Sequence, residues 1–174
     1  MAAGATFDYL GSVVLGSNTT AMTVSGIPSG YTDLFILLDA NNTNSSGIGL
    51  RINGNTSNTY YLSKFYIAQS NNTGSKFMQQ AGVYAYWDFA PQLVSLPNGG
   101  SYYPISIIEL YDYTNTSSQK TFNSVYGNAA GGEIDTARGV LGSYTTTITS
   151  VSILNNGYQI SAGSSMYVYG IAKA

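Results

Sequence analysis

The stretch Ser165-Met-Tyr-Val-Tyr-Gly-Ile171 decides the class of fold. Alternate residues of an extended strand point to opposite faces, so Tyr167 and Tyr169 share one face and Met166 and Val168 share the other. Because both faces carry large side chains, the alternation predicts a strand in the middle of a sheet or at a contact between subunits.

Other segments along the chain have the same strand-like composition, and clusters of Gly, Asn and Ser separate them. The run Leu34–Leu38 is continuously apolar, which predicts burial on both sides. No long segment repeats its apolar residues with a helical period. The predicted strands are Phe7–Leu15, Thr20–Ser25, Thr32–Ala40, Ile48–Asn53, Tyr60–Ala68, Val83–Phe89, Pro104–Tyr113, Thr121–Gly127, Glu133–Leu141, Ile148–Leu154 and Ser165–Ala172.

This succession of short strands predicts an all-β protein, an antiparallel β-sandwich of about 8–11 strands with a jelly-roll-like arrangement. A barrel is the second choice. The 174 residues predict a single domain over residues 1–174. Residues 1–6 form a flexible or docking arm in this interpretation.

Composition excludes several classes of function. Charged residues make up only 8% of the chain and the formal net charge is -2, so we expect neither nucleic acid nor an anionic membrane surface as a partner. The chain contains no Cys and no His, which excludes disulfides, thiol nucleophiles, histidine-based triads and histidine-bound zinc. No apolar run is long enough to span a membrane, and no signal peptide is visible at the N-terminus. We therefore expect no cysteine- or histidine-based active site or metal site, and a chain that is made in the cytoplasm.

Two acidic residues are the remaining candidates for catalysis or cation binding. Glu133 and Asp135 lie two positions apart on a predicted strand and could share a face. Such a pair could bind Ca²⁺ or divide into an acid and a base. The alternative is a solvated face, or an ion pair with nearby Arg138, and exposed carboxylates are the norm.

The 16 tyrosines are the most unusual feature of the composition. Tyrosine can pack at the rim of a core with its hydroxyl in water, or it can form a contact surface for a protein or a sugar. With so few charges in the chain, we interpret the set as evidence of an interface. The candidate interface aromatics are Tyr84, Tyr86, Tyr102, Tyr103, Tyr111, Tyr113, Tyr167 and Tyr169.

Four segments carry a resemblance to a known family. They are Ser25-Gly-Ile-Pro-Ser-Gly-Tyr-Thr-Asp-Leu34, Leu50-Arg-Ile-Asn-Gly-Asn55 followed by Tyr60-Tyr61, Ile148-Thr-Ser-Val-Ser-Ile153, and Ala162-Gly-Ser-Ser-Met-Tyr-Val-Tyr-Gly-Ile171. In these segments the chain resembles small β-sandwich virion proteins and fibre-tip domains of tailed bacteriophages.

The resemblance implies a jelly-roll-like homotrimer on the virion, without enzymatic activity or cofactor. It implies a capsid decoration or cement protein that binds the major capsid protein on the head exterior. The alternative is a tail-fibre or receptor-binding tip module, which binds a tail adaptor protein and recognises a host glycan. We expect the first of these, because no fibre shaft is visible in the sequence.

Overall fold

The structure, a computed structural model, describes residues 7–41, 48–57, 60–68, 76–84, 87–90, 105–128, 133–142, 144–155 and 158–172. For residues 62–68, 76–84, 87–90, 126, 128 and 133–135 only the backbone is described. Twelve strands run through these residues: β1 (Phe7–Val14), β2 (Ala21–Ser25), β3 (Asp33–Asp39), β4 (Ile48–Ile52), β5 (Tyr60–Ala68), β6 (Lys76–Tyr84), β7 (Trp87–Ala90), β8 (Ile105–Tyr111), β9 (Lys120–Asn128), β10 (Glu133–Leu141), β11 (Ser150–Asn155) and β12 (Ser165–Ile171).

The strands form two sheets. The large sheet has eight strands in the order β1-β12-β3-β8-β9-β10-β5-β6, and the small sheet has four in the order β2-β11-β4-β7. All the strand pairings in the two sheets are antiparallel.

Eight of the strands have jelly-roll connectivity. When β1, β2, β3, β4, β7, β8, β11 and β12 are numbered one to eight, the large sheet contains them in the order 1-8-3-6 and the small sheet in the order 2-7-4-5. This is the double Greek key of a jelly roll. The pairs β5–β6 and β9–β10 are insertions that widen the large sheet beyond β8.

The predicted antiparallel sandwich is confirmed, with one more strand than the expected 8–11. The extra strand is β6, and the predicted strand Val83–Phe89 is wrong, since it spans the end of β6 and the start of β7. The centre of β6 reads Met78-Gln-Gln-Ala-Gly82, which lacks the alternation that marks a strand. Pairing with β5 supplies the order that local sequence does not predict.

The core lies between the two sheets. From the large sheet, Ile36 and Val168 point into it, and Leu50 and Ile153 approach from the small sheet; all four are completely buried. Their neighbours along each strand point outward, so the β period of two sets which residues form the core.

Two of the segments that carry the family resemblance meet at Tyr31. Its ring lies directly over Gly170, where a Cβ atom would come within 2.4 Å of Tyr31 Cγ. Only glycine fits under the ring. Tyr31 also forms a hydrogen bond with the side chain of Asp8 on the edge strand β1, and this bond raises the pKa of Tyr31. The segment Ser25–Leu34 and the C-terminal segment are thus fitted to each other.

Asn53 joins the other two segments. Asn53 and Gly54 have positive φ angles of 47° and 63°, and the turn closes with a 2.9 Å hydrogen bond from Asn55 N to Ile52 O. The Asn53 side-chain oxygen accepts hydrogen bonds from the backbone N–H groups of Thr149 (2.7 Å) and Ser150 (3.0 Å). The end of β4 is therefore fixed to the start of β11.

Candidate interaction surface

The large sheet has a second apolar face, on the side away from the core. Strand β3 shows the pattern: Leu34, Ile36 and Leu38 are buried in the sandwich, while Phe35 and Leu37 are half-buried on the opposite side. The continuous apolar run that predicted burial on both sides therefore covers the core with one face. Its other face lies at the surface.

We call this surface the outer face and define it by the outward-pointing residues of β1, β12, β3, β8, β9 and β10. Three of its large apolar side chains are among the most exposed in the described part of the chain: Tyr9 at 60%, Ile105 at 57% and Val125 at 44%. Its apolar members are Phe7, Tyr9, Val14, Phe35, Leu37, Ile105, Ile107, Val125, Tyr167, Tyr169 and Ile171. A contiguous patch of this kind marks an interaction site more often than a free surface.

Cross-strand register orders the outer face into rows. The first row runs across six strands and contains Tyr9, Tyr169, Phe35, Glu109, Asn123 and Arg138. The second row contains Ser12, Tyr167, Leu37, Ile107, Val125 and Thr136. The first row is aromatic at the β1 side and polar at the β10 side, whereas the second is apolar over most of its length.

The aromatic part of the face is a connected cluster. Tyr9 and Tyr169 have ring centroids 6.0 Å apart, Tyr169 and Phe35 6.4 Å, and Phe35 and Phe7 5.5 Å, all in edge-to-face geometry. Such pairs hold one another in place, each contributing about 0.5–1.5 kcal/mol beyond its buried area. The cluster therefore offers a partner a set of rings that are already in contact with one another.

The polar part of the face centres on Glu109. Its Oε2 accepts a 2.5 Å hydrogen bond from the Tyr111 hydroxyl and a 3.5 Å contact from the Asn123 amide. Burial, followed by the hydrogen bond to Glu109, raises the pKa of Tyr111 to about 12. Tyr111 is therefore a neutral donor at any physiological pH, and its hydroxyl holds the Glu109 carboxylate by a hydrogen bond.

Two aspartates lie at the margins of the outer face, at the two ends of β3. Asp33 Oδ1 accepts a 2.8 Å hydrogen bond from the Asp112 backbone. At the other end, one oxygen of Asp39 is buried with no hydrogen-bond partner among the described residues, and burial raises the pKa of this carboxyl. Among the side chains described between these ends, Glu109 and Arg138 are the charged groups of the first two rows.

The outward side of the small sheet is different. Its accessible residues on β2 and β11 are small and mostly polar: Ala21, Thr23, Ser25, Ser150 and Ser152. Leu154, on the same side of β11 by alternation, is buried. Thr23 and Ser152 are cross-strand neighbours whose hydroxyls share a 2.9 Å hydrogen bond. These small polar side chains are typical of a solvent-exposed surface.

Of the predicted interface tyrosines, Tyr111, Tyr167 and Tyr169 lie on the outer face. Tyr113 does not belong to an exposed surface: it is completely buried, and its hydroxyl donates to the carbonyl of Pro28. It lies in the turn after β8, which the hydrogen bond from Asn115 N to Asp112 O closes, so the chain has already left the outer face there. Tyr84 is the last residue of β6, with only its backbone described. The predictions for Tyr86, Tyr102 and Tyr103 fall outside the described residues.

The acidic pair is placed by its backbone. Glu133 and Asp135 are on β10, in register with Asn128 and Tyr126 of β9, and their side chains lie outside the described part. In the described ranges, no three acidic side chains come close enough together to hold a metal ion. None of the described segments is a helix that could span a membrane.

Residues of the outer face outside the tyrosine set were missed by sequence reasoning, above all Phe35, Leu37, Ile107 and Val125. A signal for the first two was present, since burial on both sides of Leu34–Leu38 requires something to cover the second face. For Ile107 and Val125, only the register with β3 shows that they join the same patch.

The sequence matches no protein-family model and no curated protein.

Proposed function

We propose that this chain is a non-enzymatic structural protein of a tailed-phage virion, a decoration or cement protein that binds the head exterior. The observation that carries the proposal is the outer face, which presents aromatic and aliphatic side chains over several neighbouring strands. Exposing apolar side chains of this kind to water is unfavourable in free energy, and covering them with another protein surface is favourable.

The character of the face favours a protein as its partner. Aliphatic residues such as Leu37, Ile105, Ile107 and Val125 supply dry contact area rather than hydrogen bonds to a small molecule. The face is also open and sheet-like, whereas small-molecule sites are concave with a few convergent polar groups.

The resemblance in the four segments supports the virion setting. Those segments fit together through Tyr31–Gly170 and Asn53–Thr149, so the similarity lies in residues that build the sandwich. On this basis we propose a homotrimer that binds the major capsid protein. Contacts between subunits would add to the stability of a chain that lacks disulfides.

A second candidate function is a tail-fibre tip or receptor-binding module that recognises a host glycan, attached through a tail adaptor protein. The aromatic cluster favours it, because Phe35 is the cross-strand neighbour of Glu109. Aromatic rings beside hydrogen-bonding groups could stack on a sugar and bind its hydroxyls. Glycan binding that is lost in Tyr9→Ala and Tyr169→Ala, but not in Tyr158→Ala, is the expected result for this candidate.

The experiment that tests the proposed function is immunogold labelling of intact particles of the phage that encodes this chain. We expect gold over the head. Gold at the tail end would replace this proposal with the second candidate, and particles without gold would overturn both.

A further inference from the structure

We propose that a second copy of this chain covers the outer face, in a two-fold contact that places Glu109 of one copy opposite Arg138 of the other. The inference rests on the proposed function, in which another protein surface covers the outer face, and it names that protein as a second copy of this chain rather than the major capsid protein. In a homotrimer the same contact would join one trimer to the next.

The charges of the first row are self-complementary. Asn123 lies between Glu109 on one neighbouring strand and Arg138 on the other, and these three side chains are in register. A two-fold axis parallel to the strands and above Asn123 exchanges the two flanking positions. Glu109 of each copy then lies opposite Arg138 of the other, which is the reciprocal pairing that a two-fold interface requires.

The same axis also brings the second rows of the two copies together. In the second row, Val125 meets Val125 of the other copy, and Ile107 lies opposite Thr136. Leu37 on β3 lies opposite β5, at the row position that Phe65 occupies by register with Thr136. Val125 and Ile107 are thereby covered, whereas β1, which carries Tyr9, lies outside the overlap.

The footprint of the overlap matches that of a stable pair. The axis above β9 overlaps the seven strands from β12 to β6, of which β5 and β6 extend beyond the outer face and, from residue 62 on, are described by their backbone alone. With strands about 4.8 Å apart and about 3.4 Å per residue, seven strands of seven residues cover about 34 by 24 Å, or about 800 Å². A standard protein interface buries about 800 Å² on each partner. Face-to-face sheets pack with nearly aligned strands, which an axis parallel to the strands also produces.

The lack of net charge on this face favours a second copy of the chain over a strongly charged protein as its partner. The described part of the first two rows has one acid and one base, so it has no net charge with which to attract an acidic or basic surface. The chain as a whole carries only six basic and eight acidic residues. The complementarity available on this face is to itself.

The test is a charge exchange measured by sedimentation equilibrium of the purified full chain. Glu109→Arg and Arg138→Glu each place like charges opposite each other, and we expect each to weaken self-association by at least 10-fold. An equimolar mixture of the two variants restores both pairings, so it should associate at least 10-fold more tightly than either variant alone. Thr23→Arg, on the small sheet, is the matched control and should associate like the wild type.

The proposal is overturned if the wild type is monomeric at every concentration. It is equally overturned if neither single variant weakens association, or if the mixture is no tighter than its components. Circular dichroism and thermal unfolding of each variant exclude loss of the fold as the cause of a weaker association. The outcome is independent of the labelling experiment: a pair in solution without gold on particles refutes the proposed function and leaves this contact standing.

Discussion

The outer face of the large sheet and the outward side of the small sheet belong to one sandwich and rest on one core. They differ in what they offer to the outside. The large sheet presents Phe35, Leu37 and Val125, whereas the small sheet presents Thr23 and Ser152, joined by a hydroxyl–hydroxyl contact. Both strand sets alternate with the same period, and both bury apolar residues inward. The shared core therefore does not require the difference, and we attribute it to the proposed partner of the large sheet.

The largest expected effect separates the two sides of a single strand. Ile36 and Leu37 are neighbours on β3, but Ile36 is completely buried and Leu37 points to the outer face. Ile36→Ala leaves a cavity in the core and should lower the free energy of unfolding by about 2–5 kcal/mol. Leu37→Ala should cost only about 1 kcal/mol in the isolated chain, because part of its surface is already in water. Chemical denaturation of the monomer measures both; equal losses would contradict the assignment of two distinct faces.

The next largest effect compares self-association when the same charge is placed on the outer face and on the small sheet. Val125→Glu introduces a charge at the centre of the outer face, where it would meet its own copy, and should weaken self-association at least about 100-fold, equivalent to about 2.7 kcal/mol. Thr23→Glu is the matched control, a β-branched exposed residue replaced by the same acid on the small sheet. Light scattering over a concentration series gives both constants. If the two variants associate equally, the outer face is not where the copies meet.

A pH titration separates a tyrosine of the interior from one on the outer face. Burial raises the pKa of Tyr60 to about 12, and its hydroxyl donates to the Asn55 carbonyl at 3.0 Å. A raised pKa means that the folded state holds the proton more tightly than the unfolded state. Its contribution is thus complete below pH 10 and is lost between pH 10 and about 12.

We expect the unfolding free energy to fall by about 2–3 kcal/mol over that interval because of Tyr60. Tyr60→Phe should remove most of this fall. Tyr111→Phe should remove little of it, because Tyr111 is 39% exposed and water screens its charge. Unfolding curves and tyrosinate absorbance at each pH check the prediction; the reverse ranking of the two variants would count against it.

The smallest effect is expected on the small sheet. Ser152→Ala removes the hydroxyl contact with Thr23, which is exposed, and should change the free energy of unfolding by less than about 0.5 kcal/mol. Self-association should not change. A measurable loss of association in this variant would show that the small sheet also takes part in a contact.

The class of fold could be predicted from the sequence because local alternation determines it. Segments such as Tyr60–Ala68 and Glu133–Leu141 were predicted to the residue. Strand β6 was not, since its central glutamines do not alternate and it forms by pairing with β5.

The burial of Lys120 was also not predictable from the sequence. The residue is buried, and its ammonium group donates hydrogen bonds to the carbonyls of Asp112 and Asn115. A pattern of residue types cannot predict a charge satisfied by backbone carbonyls.

The candidate surface was only partly predictable. Tyr167 and Tyr169 were identified because their strand is apolar on both faces. Tyr113 was wrongly grouped with them, since its sequence neighbourhood resembles that of Tyr111 and only the turn after β8 sends its ring into the core. The row that joins Glu109 to Arg138 depends on long-range register across β9, which no local pattern specifies.

Hydroxyl-radical footprinting of the wild type at associating concentrations, compared with the Val125→Glu variant, tests most directly whether the outer face is the covered surface. We predict that Tyr111 and Tyr169 become protected in the wild type, while Tyr158, which is 43% exposed in the loop between β11 and β12, reacts equally in the two samples. Equal reactivity of Tyr111 and Tyr169 in both samples, with protection elsewhere on the chain, would contradict the claim that the outer face is the covered surface.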